Sequence, residues 1–403
     1  MSNKALVIGP NIGVSMGRGG GARVATKMAE TLAENDFIVS FCALKGYSLD
    51  QLDSIHSTNL LKYRDRIGTY YFLTSGNGSR GGGRLSGVLP IHVGVLPFSL
   101  YLQYVIKRFS PHVLIFHDDI PILVRHKLQT RLTVLYVHFS YATRLKLGVG
   151  DIANMTSPSK QCIEEFLNPL LKRLIFLQSN PADLIIANSS ITASFVRQTW
   201  NRSDIAILHP PVDTSLYRTS RVKENLVVSI GAIQPNKRFE DIIKAISMVH
   251  SKCKLIITGY SHQRKYYHEL QKLIEKMGLK NRLKIVLDAS QRLVENTLSR
   301  AKIIVHASQF EPFGIAVVEG MASGCVPIVY NGATSGPWVD IINKGEFGLG
   351  FKTSDELSEN IEKILSDEKE YRHYSGRAQE RSKEFDTLIF KNKFAKILGC
   401  ANS

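Results

Sequence analysis

The sequence predicts an α/β protein with two parallel-sheet domains, on three observations. Short apolar runs ending in Gly or His alternate with helix-period patterns, the rhythm of parallel strands joined by crossover helices. A loop from His209 to Val222, with prolines at 210 and 211, interrupts that rhythm before a fresh strand. At 403 residues the chain is long enough for two domains, each with its own core.

In the first half, Ala5-Leu6-Val7-Ile8 reads as a buried strand, followed by a long turn from Gly9 to Gly21 and a helix through Val24, Met28 and Leu32. Gly17-Arg18-Gly19-Gly20-Gly21-Ala22 formally matches a dinucleotide fingerprint. Those glycines stand well away from the strand, and the next strand, Phe37 to Leu44, ends in Lys45 where a ribose-binding acid belongs. A hydride-transfer cofactor is therefore disfavoured. The same glycines let backbone N–H groups approach an anion at a helix N-terminus, the plainer alternative being a flexible linker.

Ser75 to Arg84 is too rich in Gly for regular structure and reads as a mobile loop. Pro111 to His117 and Thr133 to His138 are two more buried strands, each delivering a His at the end where open α/β sheets bind ligands. His117-Asp118-Asp119 has no motif behind it, and an Asp pair after a strand is common in turns. From Ser159 to Asn180, Cys162, Phe166, Leu170, Leu171, Leu174 and Leu177 repeat at helical spacing beside Lys160, Lys172 and Arg173. Core packing explains that stripe as well as a membrane surface does, and is preferred. Asp183 to Asn188 closes the first sheet, and Ser189 or Ser190 caps the next helix.

The second half opens with the strand Asn225 to Gly231, the loop Gln234-Pro235-Asn236-Lys237-Arg238 and a helix through Ile242, Ile243 and Ile246. A Lys in a strand-to-helix loop is well placed as counter-charge to an anionic leaving group. Lys254 to Gly259 and Leu283 to Asp288 are further strands, with a charged helix through Lys276 between them. Ala301 to Ala307 brings the chain back to Glu311. After Val329 come the loop Asn331 to Pro337, a helix holding Asp340 and, from Leu388 to Leu398, a last helix. The expected division is 1–215, 216–385 and a tail, 386–403.

Phe310 to Pro327 is the most informative stretch. Pro312 and Gly314 precede an apolar run that Gly324 and Pro327 close, which predicts a helix of about ten residues from near Gly314. At the helical period Ile315, Val318, Glu319 and Ala322 share a face, so a carboxylate lies on the stripe that should be buried. Burying it without donors is costly, and no Lys or Arg occurs from 303 to 343, whereas ligand hydroxyls would serve. Glu311 stands just before the helix, where the N–H groups of Phe313, Gly314 and Ile315 form a positive end. An anion and a polyol can be bound together there. Taken singly, each Glu also fits an ordinary surface or amphipathic position.

Composition bounds the rest. With 44% hydrophobic and 21% charged residues the chain is globular, and its five cysteines are scattered singly, which fits a reducing cytoplasm. Met1-Ser2-Asn3-Lys4 runs straight into a strand, so no secretory signal is expected. Leu85 to Ile106 is uncharged but interrupted by Pro90, Gly94 and Pro97, and reads as short packed elements rather than a spanning helix. The net charge of +16 favours an anionic partner, yet no basic stripe with aromatics or zinc-finger spacing points to nucleic acid.

The Glu311-to-Glu319 string resembles the Glu-x7-Glu signature of the retaining glycosyltransferases of family 4. Asn188-Ser189-Ser190, His209-Pro210-Pro211-Val212-Asp213, Gly231 to Lys237 and Ser335 to Ile341 are similar to blocks of one subgroup. That subgroup holds the eukaryotic α-1,2-mannosyltransferase of the lipid-linked oligosaccharide, working on the cytosolic face of the endoplasmic reticulum, and its prokaryotic relatives. The resemblance implies a GT-B fold, two facing Rossmann-like domains with a cleft between them, an acceptor-binding N-terminal domain, a nucleotide-sugar-binding C-terminal domain and a last helix crossing back. It also implies catalytic roles for Glu311 on the sugar, Lys237 on the diphosphate and His138, within Tyr136-Val137-His138-Phe139, facing the donor sugar. Glu319 would hold the ribose, and Gly20, Gly21, Phe313, Gly314 and Ile315 the donor through their amides. Where the family commonly has Arg after the glycine this chain has Ala232, and Arg238 is the candidate substitute.

The function so implied is transfer of a hexose, mannose from GDP-mannose, to a lipid-linked or other glycan acceptor. Arg80 and Arg84 are candidate contacts to a lipid diphosphate. No cofactor or metal is expected, there being no Asp-x-Asp, and the expected location is cytoplasmic, with possible peripheral contact to an anionic membrane face. A UDP-sugar donor, a sugar-nucleotide epimerase and a basic non-catalytic binding protein are the alternatives. A glycosidase acid and nucleophile pair is disfavoured by the burial expected of Glu319.

Overall fold

The computed structural model describes residues 3–9, 15–16, 19–43, 45–71, 96–121, 124, 130–140, 143, 182–260 and 264–399. The chain divides into two compact units. The first comprises Met1–Asn188, Thr192–His209 and Phe390–Ser403; the second comprises Ser189–Ile191 and Pro210–Ile389.

The strands of the first half are β1 (Lys4–Ile8), β2 (Ser15–Met16), β3 (Ile38–Ala43), β4 (Lys45–Gly46), β5 (Ile67–Tyr71), β6 (Val113–His117), β7 (Leu132–Val137), β8 (Leu184–Ala187) and β9 (Ile205–Ile207). Its helices are α1 (Gly20–Glu34), α2 (Leu49–His56), α3 (Leu96–Phe109) and α4 (Ser190–Trp200). Seven strands form a sheet in the order β5-β3-β1-β6-β7-β8-β9, parallel throughout, while β2 and β4 pair separately. Because side chains alternate across a strand, β1 sends Ala5 and Val7 into one core with α1 and Leu6 and Ile8 into another with α3. Both faces are covered, which is why these strands read as unbroken apolar runs.

The second half holds β10 (Glu224–Ile230), β11 (Lys254–Gly259), β12 (Leu283–Leu287), β13 (Ala301–His306), β14 (Val326–Tyr330) and β15 (Leu349–Phe351). Its helices are α5 (Phe239–Met248), α6 (Arg264–Lys276), α7 (Gln291–Arg300), α8 (Ile315–Ala322), α9 (Ser354–Ser366), α10 (Glu368–Ser382) and α11 (Thr387–Ile397). The sheet order is β12-β11-β10-β13-β14-β15, again parallel. The chain reverses its direction of travel across the sheet between β10 and β13, as it does between β1 and β6 in the first unit. Loops leaving the carboxyl ends of strands beside such a reversal are where open α/β sheets bind ligands.

Helix α11 begins among residues of the second unit, but Phe390 and Phe394 belong to the first unit's core. A charge network reinforces that packing. Lys391 Nζ lies 2.9 Å from Glu30 and 2.8 Å from Glu34, both on α1. Glu30 is 1% exposed and also accepts from the Asn59 N–H at 2.6 Å.

Several local expectations change. The helix expected to hold Asp340 is a five-residue π-helical turn, Pro337–Ile341. Asn343, Lys344 and Gly345 all take positive φ, and that left-handed stretch stops any helix from continuing. The short strands β5, β9 and β15, and helix α2, were not anticipated. The stretches Ser75 to Arg84, with Arg80 and Arg84, and Ser159 to Asn180 lie outside the described residues, as do 85–95 of Leu85 to Ile106. Among the described residues no helix is long and apolar enough to cross a membrane.

Candidate functional site

The loops after β10 and β13 meet at the reversal point of the second sheet. Pro235–Lys237 forms one 3-10 turn after β10, which brings Lys237 back over the strand end, its stem against Gly231. His306 is the last residue of β13, and Glu311 follows five residues on. Lys237 Nζ donates a short hydrogen bond to Glu311 Oε2. His306 Nε2 is 3.2 Å from that same oxygen, near enough to feel its charge but not aligned as a hydrogen bond. Ser308, fully buried, ties the two loops, its Oγ lying 2.9 Å from both Asn236 O and Phe310 O, either of which can take its one proton.

The electrostatics of this cluster are unequal. Burial pushes the Glu311 carboxyl up, but the Lys237 ammonium and the His306 ring outweigh it and hold the group below the usual carboxylate range. Burial holds His306 below its ordinary value, Glu311 pulls it back up, and Lys237 adds to the lowering. At neutral pH the cluster is an ion pair beside a neutral imidazole. The Lys237 and Glu311 side chains each keep 17% of their surface open, so the pair is not sealed from a ligand.

The position of Glu311 is set by its neighbour loop. Glu311 and Ser335 form an isolated parallel bridge, with Gly336 N donating to Glu311 O at 2.7 Å and Glu311 N to Thr334 O at 3.3 Å. A Cβ at Gly336 would lie 2.1 Å from Pro312 O, so only glycine permits this approach. Gly314 caps α8 with φ 98°, and a Cβ there would meet Pro337 Cγ at 2.7 Å. Arg381 holds the following turn from behind, donating to Asp340 O at 2.8 Å and Ile341 O at 3.1 Å.

Helix α8 starts at Ile315 and has eight residues, slightly shorter than expected. An α-helix leaves its first N–H groups without acceptors of its own, and here they belong to Ile315, Ala316 and Val317, with Val317 bonding back to Gly314 O at 2.9 Å. Phe313 turns its ring into the core, edge-on to Phe385. Glu319 is buried, 6% exposed, on a helix whose residues from Val317 to Ala322 are all buried. Arg238, at φ 52°, pairs with Asp241 at 2.5 Å and lies over the Tyr330 ring. Its charge is thus already partly met by the first turn of α5.

In the first unit, Gly20 and Gly21 open α1, with Gly19 as its cap at φ 119°. His138 follows β7 directly and is partly exposed. Its Nε2 is 3.0 Å from Nδ1 of His117, the last residue of β6, and the two ring planes lie within 17° of each other. Asp118, at φ 68°, accepts from the N–H groups of His138 and Phe139, both at 2.8 Å, and so fixes the loop carrying His138. The structure thus brings Lys237 and Glu311 together in one unit, with Gly314 and Ile315 at the adjoining helix start. His138 stands in the other unit.

Two further histidines stand beside these residues. His306 was readable by the rule that drew attention to His117 and His138, a His ending a buried strand. His117 was set aside for want of a motif, although its place opposite His138 follows from the pairing of β6 with β7. Among the described residues no group of three or more His, Cys, Asp or Glu is arranged to hold a metal ion.

Two family models match successive parts of the chain: Glycosyltransferase Family 4 over residues 18–216 and Glycosyl transferases group 1 over residues 218–381. Among curated proteins, the chain is 25% identical over 237 residues to a GDP-Man:Man(3)GlcNAc(2)-PP-Dol alpha-1,2-mannosyltransferase of Dictyostelium discoideum, covering 53% of this chain and 46% of the relative. The Homo sapiens protein of the same name is 27% identical over 261 residues, covering 57% and 53%. The chain thus spans about half the length of the curated relatives it matches. Among solved structures, sucrose-phosphate synthase from Thermosynechococcus elongatus superposes with TM-score 0.73 at 17% identity, covering 99% of this chain and 98% of that one. Anabaena Alr3699/HepE in complex with UDP-glucose gives 0.69 at 17%, covering 99% and 100%. At such identity the likeness is one of fold, the GT-B arrangement of two Rossmann-like domains.

Proposed function

Because this chain belongs to the family 4 glycosyltransferases, we propose that it transfers mannose from GDP-mannose, with retention, to a polyprenyl-diphosphate-linked or other glycan acceptor. The observation that supports the reading best is the Lys237–Glu311 pair at the reversal point of the second sheet. Glycosyl transfer separates charge: the sugar carbon becomes cationic while a nucleoside diphosphate departs as an anion. Lys237 and the amides at the start of α8 meet the anion, joined by those of Gly20 and Gly21. Glu311, kept ionised, accepts from sugar hydroxyls, and Glu319 from the ribose. His138 faces the donor sugar, and Arg238 exchanges Asp241 for a phosphate oxygen.

Mannose is favoured because the relatives named above carry GDP-Man in their names. The second reading is a UDP-sugar donor, favoured by the UDP-glucose complex of one structural neighbour. Basic side chains do the work a divalent ion does in sites built on Asp-x-Asp, so turnover should survive a chelator. An acidic membrane face is a fitting place for a chain of net charge +16 that takes a lipid-linked acceptor.

The test is a donor panel of GDP- and UDP-sugars with a mixed polyprenyl-linked acceptor extract, read by release of nucleotide and by product mass. Consumption of GDP-mannose alone is expected. Consumption of UDP-sugars alone would overturn the mannosyl assignment, and release of a free altered sugar without acceptor would point to an epimerase.

A further inference from the structure

The contact between His117 and His138 constrains more than the position of either ring. With Nδ1 of one and Nε2 of the other 3.0 Å apart, one nitrogen carries a proton and the other accepts it. His117 is 1% exposed, and its second nitrogen, Nε2, is buried with no partner among the described residues. In native backbones an orphaned buried N–H is rarer than an under-satisfied acceptor, and the same order is applied to the ring nitrogens. The cheaper arrangement therefore puts the single proton of His117 on Nδ1, donated to His138 Nε2. His138 must then carry its own proton on Nδ1.

Among the described residues, Asp118 and Tyr136 pack against the pair without competing for that contact. Asp118 Oδ1 is engaged by two backbone N–H groups at 2.8 Å. The Tyr136 hydroxyl donates to Leu208 O at 2.7 Å, leaving only its ring near His138, at 4.9 Å.

We propose that His117 is a positioning residue that holds His138 in the Nδ1–H tautomer, so that His138 presents a hydrogen-bond donor to an oxygen of the bound ligand. This rests on the reading of His138 as a group facing the donor sugar. In the opposite tautomer the same nitrogen would be an acceptor, and an alkoxide-like or phosphate oxygen would be repelled.

Ring-nitrogen NMR of the full chain, labelled with 15N-histidine, reads the tautomer whether or not the chain turns over a sugar nucleotide. The expected spectrum shows His138 Nε2 unprotonated and accepting a hydrogen bond. A protonated Nε2 on neutral His138 overturns the proposal, with no variant needed. His117→Asn puts an amide N–H close to where Nδ1 stood and should leave spectrum and kcat unchanged. His117→Leu should return His138 to a mixture of tautomers and lower kcat about tenfold, in the range seen when an imidazole loses its orienting partner. A His117→Leu chain with unaltered tautomer and kcat would sink the idea. A wild-type chain inactive on every donor, with the expected His138 spectrum, would remove the transfer reading and the sugar contact with it, and leave only the tautomer assignment standing.

Discussion

The two units put opposite chemistry at equivalent places. Beyond β10 and β13 stands an ion pair, Lys237 with Glu311, and beyond β6 and β7 stands a pair of neutral imidazoles, His117 with His138. The sheets explain the shared location, because each chain reversal opens a crevice at the carboxyl ends of its strands. Burial explains the difference. Each member of the ion pair keeps 17% of its surface and a charged partner, so neither is stranded. His117, at 1%, has no countercharge in hydrogen-bond contact and is held neutral. One unit thereby carries a charged pair at its reversal point and the other a neutral one.

The contrast is broken most sharply at Glu311. Glu311→Gln keeps the shape and removes the charge, and should lower kcat with GDP-mannose by about a thousandfold while circular dichroism is unchanged. If His138→Ala costs more than Glu311→Gln, the charged pair is not the centre of the site. Gly336→Ala is the next largest. Its Cβ would sit 2.1 Å from Pro312 O and push the Glu311 loop off its place, which should cost up to about a hundredfold in kcat with little change in overall fold. An alanine variant of full activity would show that the stitched loops do not set the geometry.

Acid tests the buried imidazoles with a smaller effect, His306 beside the ion pair included. Burial holds the folded-state pKa of His117 and His138 below the ordinary 6.5. Just below pH 6.5 the unfolded chain therefore binds more protons than the folded one, and stability is full above that pH and falls as pH drops through and beneath it. Glu311, lowered in turn, keeps its contribution through that whole window and loses it only as pH falls through and below the usual carboxylate range. Thermal unfolding between pH of about 7.5 and about 5.5 should show a midpoint that drops on acidification, less steeply in His117→Asn. A midpoint independent of pH there would mean the imidazoles are solvated.

How much of this was legible follows from what each residue has to tell its neighbours. Strands such as Val113–His117 were readable because both of their faces are buried and an apolar run states that locally. The edge strand Ile67–Tyr71 was not, since Gly68 and Thr69 are exposed and the strand depends on pairing with Ile38–Ala43. The helix around Glu319 was announced by its glycines and prolines. The turn at Asp340 carried the same apolar spacing, yet positive φ values at residues 343–345 ended it early, and nothing in Asn343-Lys344 marks them individually. Glu311 and Lys237 were found by motif. That they touch is a property of sheet order, which no local pattern contains.

The final helix has a temporal consequence. Phe390 and Phe394 complete a core whose other members begin at Ala5, and Lys391 answers Glu30 and Glu34. During synthesis the amino-terminal half must wait, with an apolar groove and a charged helix face uncovered, until residues some 360 positions downstream have left the ribosome. The second unit closes over a shorter span, Val212 meeting Phe385 in its core. The half made first is thus finished last, and trimming the chain before residue 390 should spoil the solubility of a region far away in sequence.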